Sequence, residues 1–393
     1  MVQCIYYMGL FDAITKRLSG LPSIGGTGSV LGIDIGSSSV KIVQLRREHG
    51  RAILETYGAI ALGPFAELQT GQVARLPAQK IGEAIQDLMK ESNMTATIAG
   101  VAIPFSASLT SVIELPPMSD DALKRAVPLE ARKYIPVPMN EISLDWFAIP
   151  KDEYENATQP DTGERKKDVI EVLLVAIHND TLSNFQSIMQ GLNIQPQFYE
   201  LEIFSTARSS LGHGVAPIMV VDIGASTTKV SIIERGIVRM SHTINQGGQD
   251  MTLSISRSMS WDFEKAERMK KEQGLSIDVP MTKEAGTGTA MPTPPVRTAL
   301  LSTLGRIFPE VHKVLLNYGK KYQKNVPHVI LTGGGATIKD LVPYAQERLG
   351  AQVQLAQPFD HVEGPAFLHD VLKEVGPEFS VAVGAAMRII QQG

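Results

Sequence analysis

The chain has 393 residues, 43% hydrophobic and 20% charged, a balance that supports two or more packed domains and excludes overall disorder. Its net charge of −4 supplies no basic field for nucleic acid or an anionic membrane. A single cysteine, Cys4, rules out a disulfide framework or a multi-cysteine metal site; the histidines lack zinc spacing, and no apolar run reaches the roughly 20 residues of a spanning helix. A protein of the reducing cytoplasm is expected.

In chain order, Met1 to Tyr7 lacks the parts of a signal peptide and reads as an added leader, with Met8 as the functional start. Leu10, Phe11, Ile14 and Leu18 then share one face of a short helix that packs on its own domain or a partner; attachment at a membrane interface is the lesser option. Ala13 stands where a myristoylation pattern needs Ser or Thr. After a glycine-rich link, residues 19–29, comes a hairpin, Val30 to Leu45: an apolar strand ending in Asp34, an Ile-Gly turn, small hydroxyl residues, Lys41 and a second apolar strand. A third strand is expected over Arg51 to Ile60, a helix over Pro77 to Ser92 and a strand over Thr97 to Ile103.

From Ser108 to Ile194 the texture changes. A strand at Ser111 to Leu115 is followed by a helix capped by Ser119 or Asp120 and running to about Tyr134, and strands are expected at Ile142 to Ile149 and Val169 to Ile177. Between them, Lys151 to Lys167 has no apolar pattern and reads as a mobile loop. A helix from Asp180 to Gly191, capped by Asn179 or Asp180, closes this α+β insert.

A second copy of the hairpin, Met219 to Ile233, opens the other large domain, with Asp222, Gly224, Ser226, Thr227 and Lys229 matching Asp34, Gly36, Ser37, Ser38 and Lys41. In each copy the glycine is expected at positive φ, leaving tip amides open for a phosphate. One such hairpin is ordinarily just a turn; two matching copies point to two domains closing on one nucleotide. The two lysines offer compact positive charge. Asp34 and Asp222, at the strand ends, are candidates to hold Mg²⁺ through water. A glycine turn at Asn245 to Thr252 feeds a helix, and the next helix, Asp262 to Gln273, places Glu267 and Lys270 on one face, either as a solvated pair or as contacts to a ribose and base. Leu275 to Arg297, rich in Pro, Thr and Gly, reads as a loop. A long helix from Thr298 to Lys321 then leads to a strand, the turn Gly333, Gly334 and Gly335, and a helix from Ile338 to Leu349. There is no P-loop motif, and Gly28 to Gly32 precedes its strand, so it is no dinucleotide fingerprint.

The two hairpins, Gly247 and Gly248, Ala266 to Lys270 and the triple glycine together resemble the actin, sugar-kinase and heat-shock-chaperone superfamily. Within it, Pro128 to Trp146 and the opening Met8 to Phe11 resemble the type IV pilus assembly protein family PilM, relatives of FtsA. That resemblance implies an α/β, actin-like duplicated ATPase fold of two RNase H-like domains with a small α+β, FtsA-type (SHS2-like) insert. Its parts would be residues 30–107, an insert at 108–194, a connection at 195–218 and a second domain at 219–393, whose C-terminal helix has the option of returning to the first. ATP and Mg²⁺ are implied in the central cleft. Gly36, Ser37, Ser38 and Lys41 would form the first phosphate loop and Gly224, Ser226, Thr227 and Lys229 the second; Gly248 would lie near the ribose and phosphates, Glu267 and Lys270 near the ribose and base, and Gly333, Gly334 and Gly335 near the adenosine. The implied partners are the cytoplasmic N-terminal tail of PilN, docked near the junction of insert and first domain, and other proteins of the pilus platform, at the inner face of the cytoplasmic membrane. A homo-oligomer is a further option, and hydrolysis stays open because no residue between Glu200 and Gly212 stands out as the base for an attacking water. The alternatives are an FtsA-like division filament, for which an amphipathic C-terminal anchor is expected where the chain has Arg388 to Gly393, and a sugar kinase, whose catalytic Asp and polar pocket the insert does not supply.

Overall fold

The computed structural model describes residues 28–150, 169–212, 216–276 and 295–392. The expected N-terminal helix, the loop Lys151 to Lys167 and most of the loop Leu275 to Arg297 lie outside the described residues. Among the described residues no helix is long and apolar enough to cross a membrane.

Strands β1 (Ser29–Ile35), β2 (Ser39–Glu48), β3 (Arg51–Ala61), β4 (Ile98–Ile103) and β8 (Gln195–Leu201) form one five-stranded sheet in the order β3-β2-β1-β4-β8. Strands β9 (Ile218–Ile223), β10 (Thr228–Glu234), β11 (Ile237–Ile244), β12 (His328–Thr332) and β13 (Gln352–Leu355) repeat that order as β11-β10-β9-β12-β13. In both sheets the first three strands in sequence pair antiparallel and the other pairings are parallel. The duplication seen in the motifs is therefore a duplication of whole sheets.

Central strands must be apolar on both faces, and β1 is. Leu31, Ile33 and Ile35 pack with Ile81, Ala84, Ile85 and Leu88 of helix Ala78–Glu91. Val30, on the other face, meets Ala382, Val383 and Ala386 of the C-terminal helix His369–Gln392. Gly32 is what lets that helix lie against β1: a side chain there would run into the Ala382 carbonyl.

The insert is a three-stranded sheet, β5 (Ser108–Leu115), β7 (Ile170–His178) and β6 (Ile142–Ala148), with β7 central. Alternation along β7 gives it two apolar faces. Val172, Leu174 and Ala176 face helix Asp120–Ala131 through Leu123 and Val127, whereas Leu173, Val175 and Ile177 join the core of the first domain.

Several boundaries differ from expectation. Ser119 does cap helix Asp120–Ala131, accepting from Ala122 N, but that helix stops three residues early. Helix Asn179–Gln190 has no side-chain cap; Asn179 instead accepts from Ser143 Oγ and donates to the Asn140 carbonyl, fixing the helix to the insert. The long helix already includes Pro295, three residues before Thr298, and runs to Tyr322.

Candidate functional site

All sixteen residues expected at the site line one cavity of about 480 Å³ between the two domains, a size suited to a small-molecule ligand. The matched hairpins face it from opposite sides in identical register. Asp34 is paired across the strands with Lys41, and Asp222 with Lys229. At the tips, Gly36 N donates to Ser39 O and Gly224 N to Thr227 O, both at 3.0 Å.

Those tips correct one expectation: neither Gly36 nor Gly224 is among the residues at positive φ. Glycine is favoured there for space, since a Cβ would stand 3.0 Å from Ser39 O in one tip and 3.1 Å from Thr227 O in the other. Both glycine amides are also spent on their own tips. Phosphate donors would therefore have to come from the next residues, Ser37 and Ser38 in one hairpin and Ala225, Ser226 and Thr227 in the other.

The two lysines differ. Lys229 Nζ lies 2.9 Å from Glu202 Oε2 and 3.2 Å from Asp222 Oδ2. Burial would pull its pKa down, but Asp222 and Glu202 outweigh it and hold the proton on. Lys41 Nζ donates to Ser39 Oγ at 3.0 Å and, among the described residues, forms no ion pair. It is the freer cation for an anionic ligand. Burial pushes the Asp34 carboxyl up, only partly offset by Lys41 and Lys229, and nearby Asp222 adds to the push. Three carboxylates, Asp34, Asp222 and Glu202, thus share the hairpin end of the cavity with two lysines. That excess of acid fits a hard divalent cation, which takes one or two carboxylates and keeps its waters. No three acidic, His or Cys side chains among the described residues are grouped to hold a metal unaided. An ion there would need water and ligand oxygens.

Gly248 N donates to Gly224 O at 2.8 Å, tying the start of helix Gly248–Met259 to the second hairpin. Glu267 and Lys270 are not a solvated pair: Lys270 is buried, and its Nζ reaches Glu267 Oε2 at 2.6 Å, Thr252 Oγ1 at 2.9 Å and Gly248 O at 3.2 Å. Burial opposes ionisation of Glu267, but Lys270 and Thr252 overcome it and its pKa falls.

Of the expected site glycines, Gly333, at φ +81°, needs its conformational freedom, and a Cβ on it would also collide with Asp222 Oδ1. The triple glycine does not enter a helix directly. It passes through a single 3-10 turn, Gly334–Thr337, and the helix begins only at Leu341 after Asp340 takes the left-handed conformation.

The cavity wall also contains residues that sequence reasoning missed, among them three polar ones. Glu202 is one, and its Oε1 accepts from Phe105 N at 2.5 Å while Oε2 holds Lys229. Gln249 and Glu378 are the others. The Gly-Gly-Gln run could have flagged Gln249, and an acid closing an apolar strand could have flagged Glu202; Glu378 carries no local signal.

The family model for type IV pilus assembly protein PilM matches residues 32–283, and the one for cell division protein FtsA matches residues 219–384. The chain is 25% identical over 390 residues to cell division protein FtsA of Pseudomonas aeruginosa, spanning 92% of this chain and 89% of that protein. FtsA of Neisseria meningitidis is 24% identical over 336 residues, 77% of this chain and 80% of that one. Among solved structures, the PilM-PilN type IV pilus biogenesis complex aligns with TM-score 0.73 at 22% identity, covering 94% of this chain and 99% of that chain. Ethanolamine utilization protein EutJ from Carboxydothermus hydrogenoformans aligns with TM-score 0.52 at 14% identity, covering 93% and 92%. At such identities the structures speak for the fold alone, and the fold is the duplicated actin-like one.

Proposed function

This chain belongs to the type IV pilus assembly protein PilM family, and from that premise we propose that it is a nucleotide-holding scaffold of the pilus assembly platform. It sits in the cytoplasm at the inner face of the membrane, binds Mg-ATP in the cleft and docks the N-terminal tail of a PilN partner near the junction of insert and first domain. The observation that carries the nucleotide reading is the identical Asp–Lys register of two hairpins on opposite walls of one cavity. The solved relative with PilN supports the partner.

Asp34 and Asp222 would hold the cation through water, and Ser37, Ser38, Ser226 and Thr227 would donate to phosphate. Lys41 would supply free positive charge, while Lys229 neutralises the acids around it. Glu267, Lys270 and the triple glycine line the remainder of the cavity and would hold the nucleoside. When bound, Mg-ATP supplies charge that both domains recognise, so it favours the closed arrangement by binding it more tightly. The pilus reading leads over an FtsA-like filament because the PilM model spans the insert, whereas the FtsA model begins only at residue 219.

Calorimetry decides it. Mg-ATP should bind the wild-type chain and fail to bind Asp34→Ala or Asp222→Ala, and a PilN-tail peptide should bind with an affinity that ATP alters only in the wild type. Peptide affinity indifferent to ATP would remove the coupling, and no ATP uptake by the wild type would remove the nucleotide.

A further inference from the structure

The connection between β3 and helix Ala78–Glu91 runs across the mouth of the cleft. It is tied to the first phosphate hairpin, with Leu62 N donating to Ser38 O and Ala74 N to Ser37 O, both at 2.9 Å. Internally it is stiff. Leu68 N donates to Gly63 O, and Gln69 N to Gln72 Oε1, both at 2.9 Å. At Gly71 it passes over Glu267 on the other domain, within 3.4 Å of where a Cβ would stand.

One side chain fastens it there. Val73 N donates to Gln249 Oε1 at 2.6 Å, and among the described residues this is the one hydrogen bond between this strap and the second domain. Gln249 is itself anchored, its backbone N donating to Ala225 O in the second phosphate hairpin at 2.9 Å. The chain of contacts therefore runs from one phosphate loop, through the strap and Gln249, to the other. Thr70, Gly71 and Gln249 are part of the cavity wall.

We propose that Gln249 is a positioning residue that latches the strap across the cleft and sets the rate at which a bound nucleotide leaves. The idea rests on the nucleotide reading above. A ligand held between the hairpins can depart on this side only after the domains part or the strap lifts, and both require the Val73–Gln249 bond to break. Entry needs the same opening, but encounter and orientation also limit it, so loss of the bond weighs more on release than on capture.

The test uses the full chain, a fluorescent ATP analogue with Mg²⁺, and a chase of unlabelled ATP. Gln249→Ala, and Gln249→Met, which keeps the length but loses the acceptor, should each speed release roughly five- to tenfold, as expected for one hydrogen bond. Association should change less. The melting temperature without nucleotide should stay put, which separates a latch from general damage. Hydrogen exchange on the nucleotide-free chain reads the latch by itself: the Val73 amide should be protected in the wild type and exchange faster in both variants. Unchanged release in both variants overturns the proposal, as does an unprotected Val73 amide in the wild type. A wild type that takes up no analogue overturns the nucleotide reading and control of release with it, whereas normal uptake with unchanged release in both variants overturns the latch alone.

Discussion

Glu200 and Glu202 are two residues apart, which in a strand would put them on one face. They part company because β8 ends at Leu201 and a helix begins at Glu202. Glu202 reaches the cleft, while Glu200 is shut behind it among Arg208, at 2.6 Å, Arg388, at 2.8 Å, and Ser205. Arg388 also stacks over Phe198 at 4.1 Å. Burial would raise the Glu200 pKa, but Arg208 and Arg388 together bring it down from 4.5 to about 2. A depressed carboxylate contributes stability above its unfolded pKa and loses it as pH falls toward the folded one. Glu200→Gln leaves two buried guanidiniums short of a counter-charge and should cost about 3–5 kcal/mol near neutral pH. In urea titrations the gap between variant and wild type should narrow as pH drops from 4.5 toward 2. A gap that holds constant across that window would show that the cluster does not titrate as described. A local pattern could show two acids near a strand end; only the turn into the helix decided which one faces the cleft.

At the scale of the element, helix His369–Gln392 is the piece least explained by its own sequence. Its buried face runs through Ala382, Val383, Ala385 and Ala386, small residues that leave open which surface they cover. In the fold, Gly384 lies on the backbone of Ser205, so helix Glu202–Ser210 packs in direct contact with it, and Arg208 donates to the Gly384 carbonyl at 2.9 Å. Farther up, Pro377, which interrupts the helical ladder, offers its carbonyl to Gly333 N and Thr332 Oγ1, both at 2.8 Å. One helix thus packs the first sheet and steadies the glycine turn of the second. Gly384→Ala forces a methyl into a facing backbone that cannot yield and should destabilise by about 1–3 kcal/mol in denaturant unfolding. Gly305→Ala, in helix Pro295–Tyr322 with open space around it, should stabilise by about 0.4–1 kcal/mol. The pair separates crowding from glycine's backbone entropy, and equal effects would reject the packing account.

Across the whole molecule, the insert touches both large domains. Its β7 packs into the first, and it is pinned to the edge strand β11 of the second by Arg239 to Glu171 at 2.7 Å and by the Thr110 and Ser241 hydroxyls at 2.9 Å. Arg239 in turn lies 3.4 Å from Glu234. A change in domain closure must therefore either carry the insert along or break these contacts. On the proposed function, Glu171→Gln should leave ATP and PilN-tail peptide each bound about as well as before, while the effect of one on the other shrinks; site-to-site coupling of this kind is typically about 1–3 kcal/mol. Fluorescence titration of the peptide with and without Mg-ATP reads it directly, and undiminished coupling would place the link elsewhere. Sequence alone determined the duplicated hairpins, the strands that follow them and the insert's separate texture, because these rest on short-range periodicity, turn chemistry and repeated motifs. With the family resemblance it also named sixteen residues of the cavity wall. Only tertiary structure decided that Gly36 and Gly224 serve space rather than conformation, that Lys229 is committed to two acids while Lys41 is not, that Glu202 and Gln249 reach the cleft, and that the last helix packs the first sheet. Each of these depends on residues far apart in the chain meeting at one place, and no local pattern carries that information.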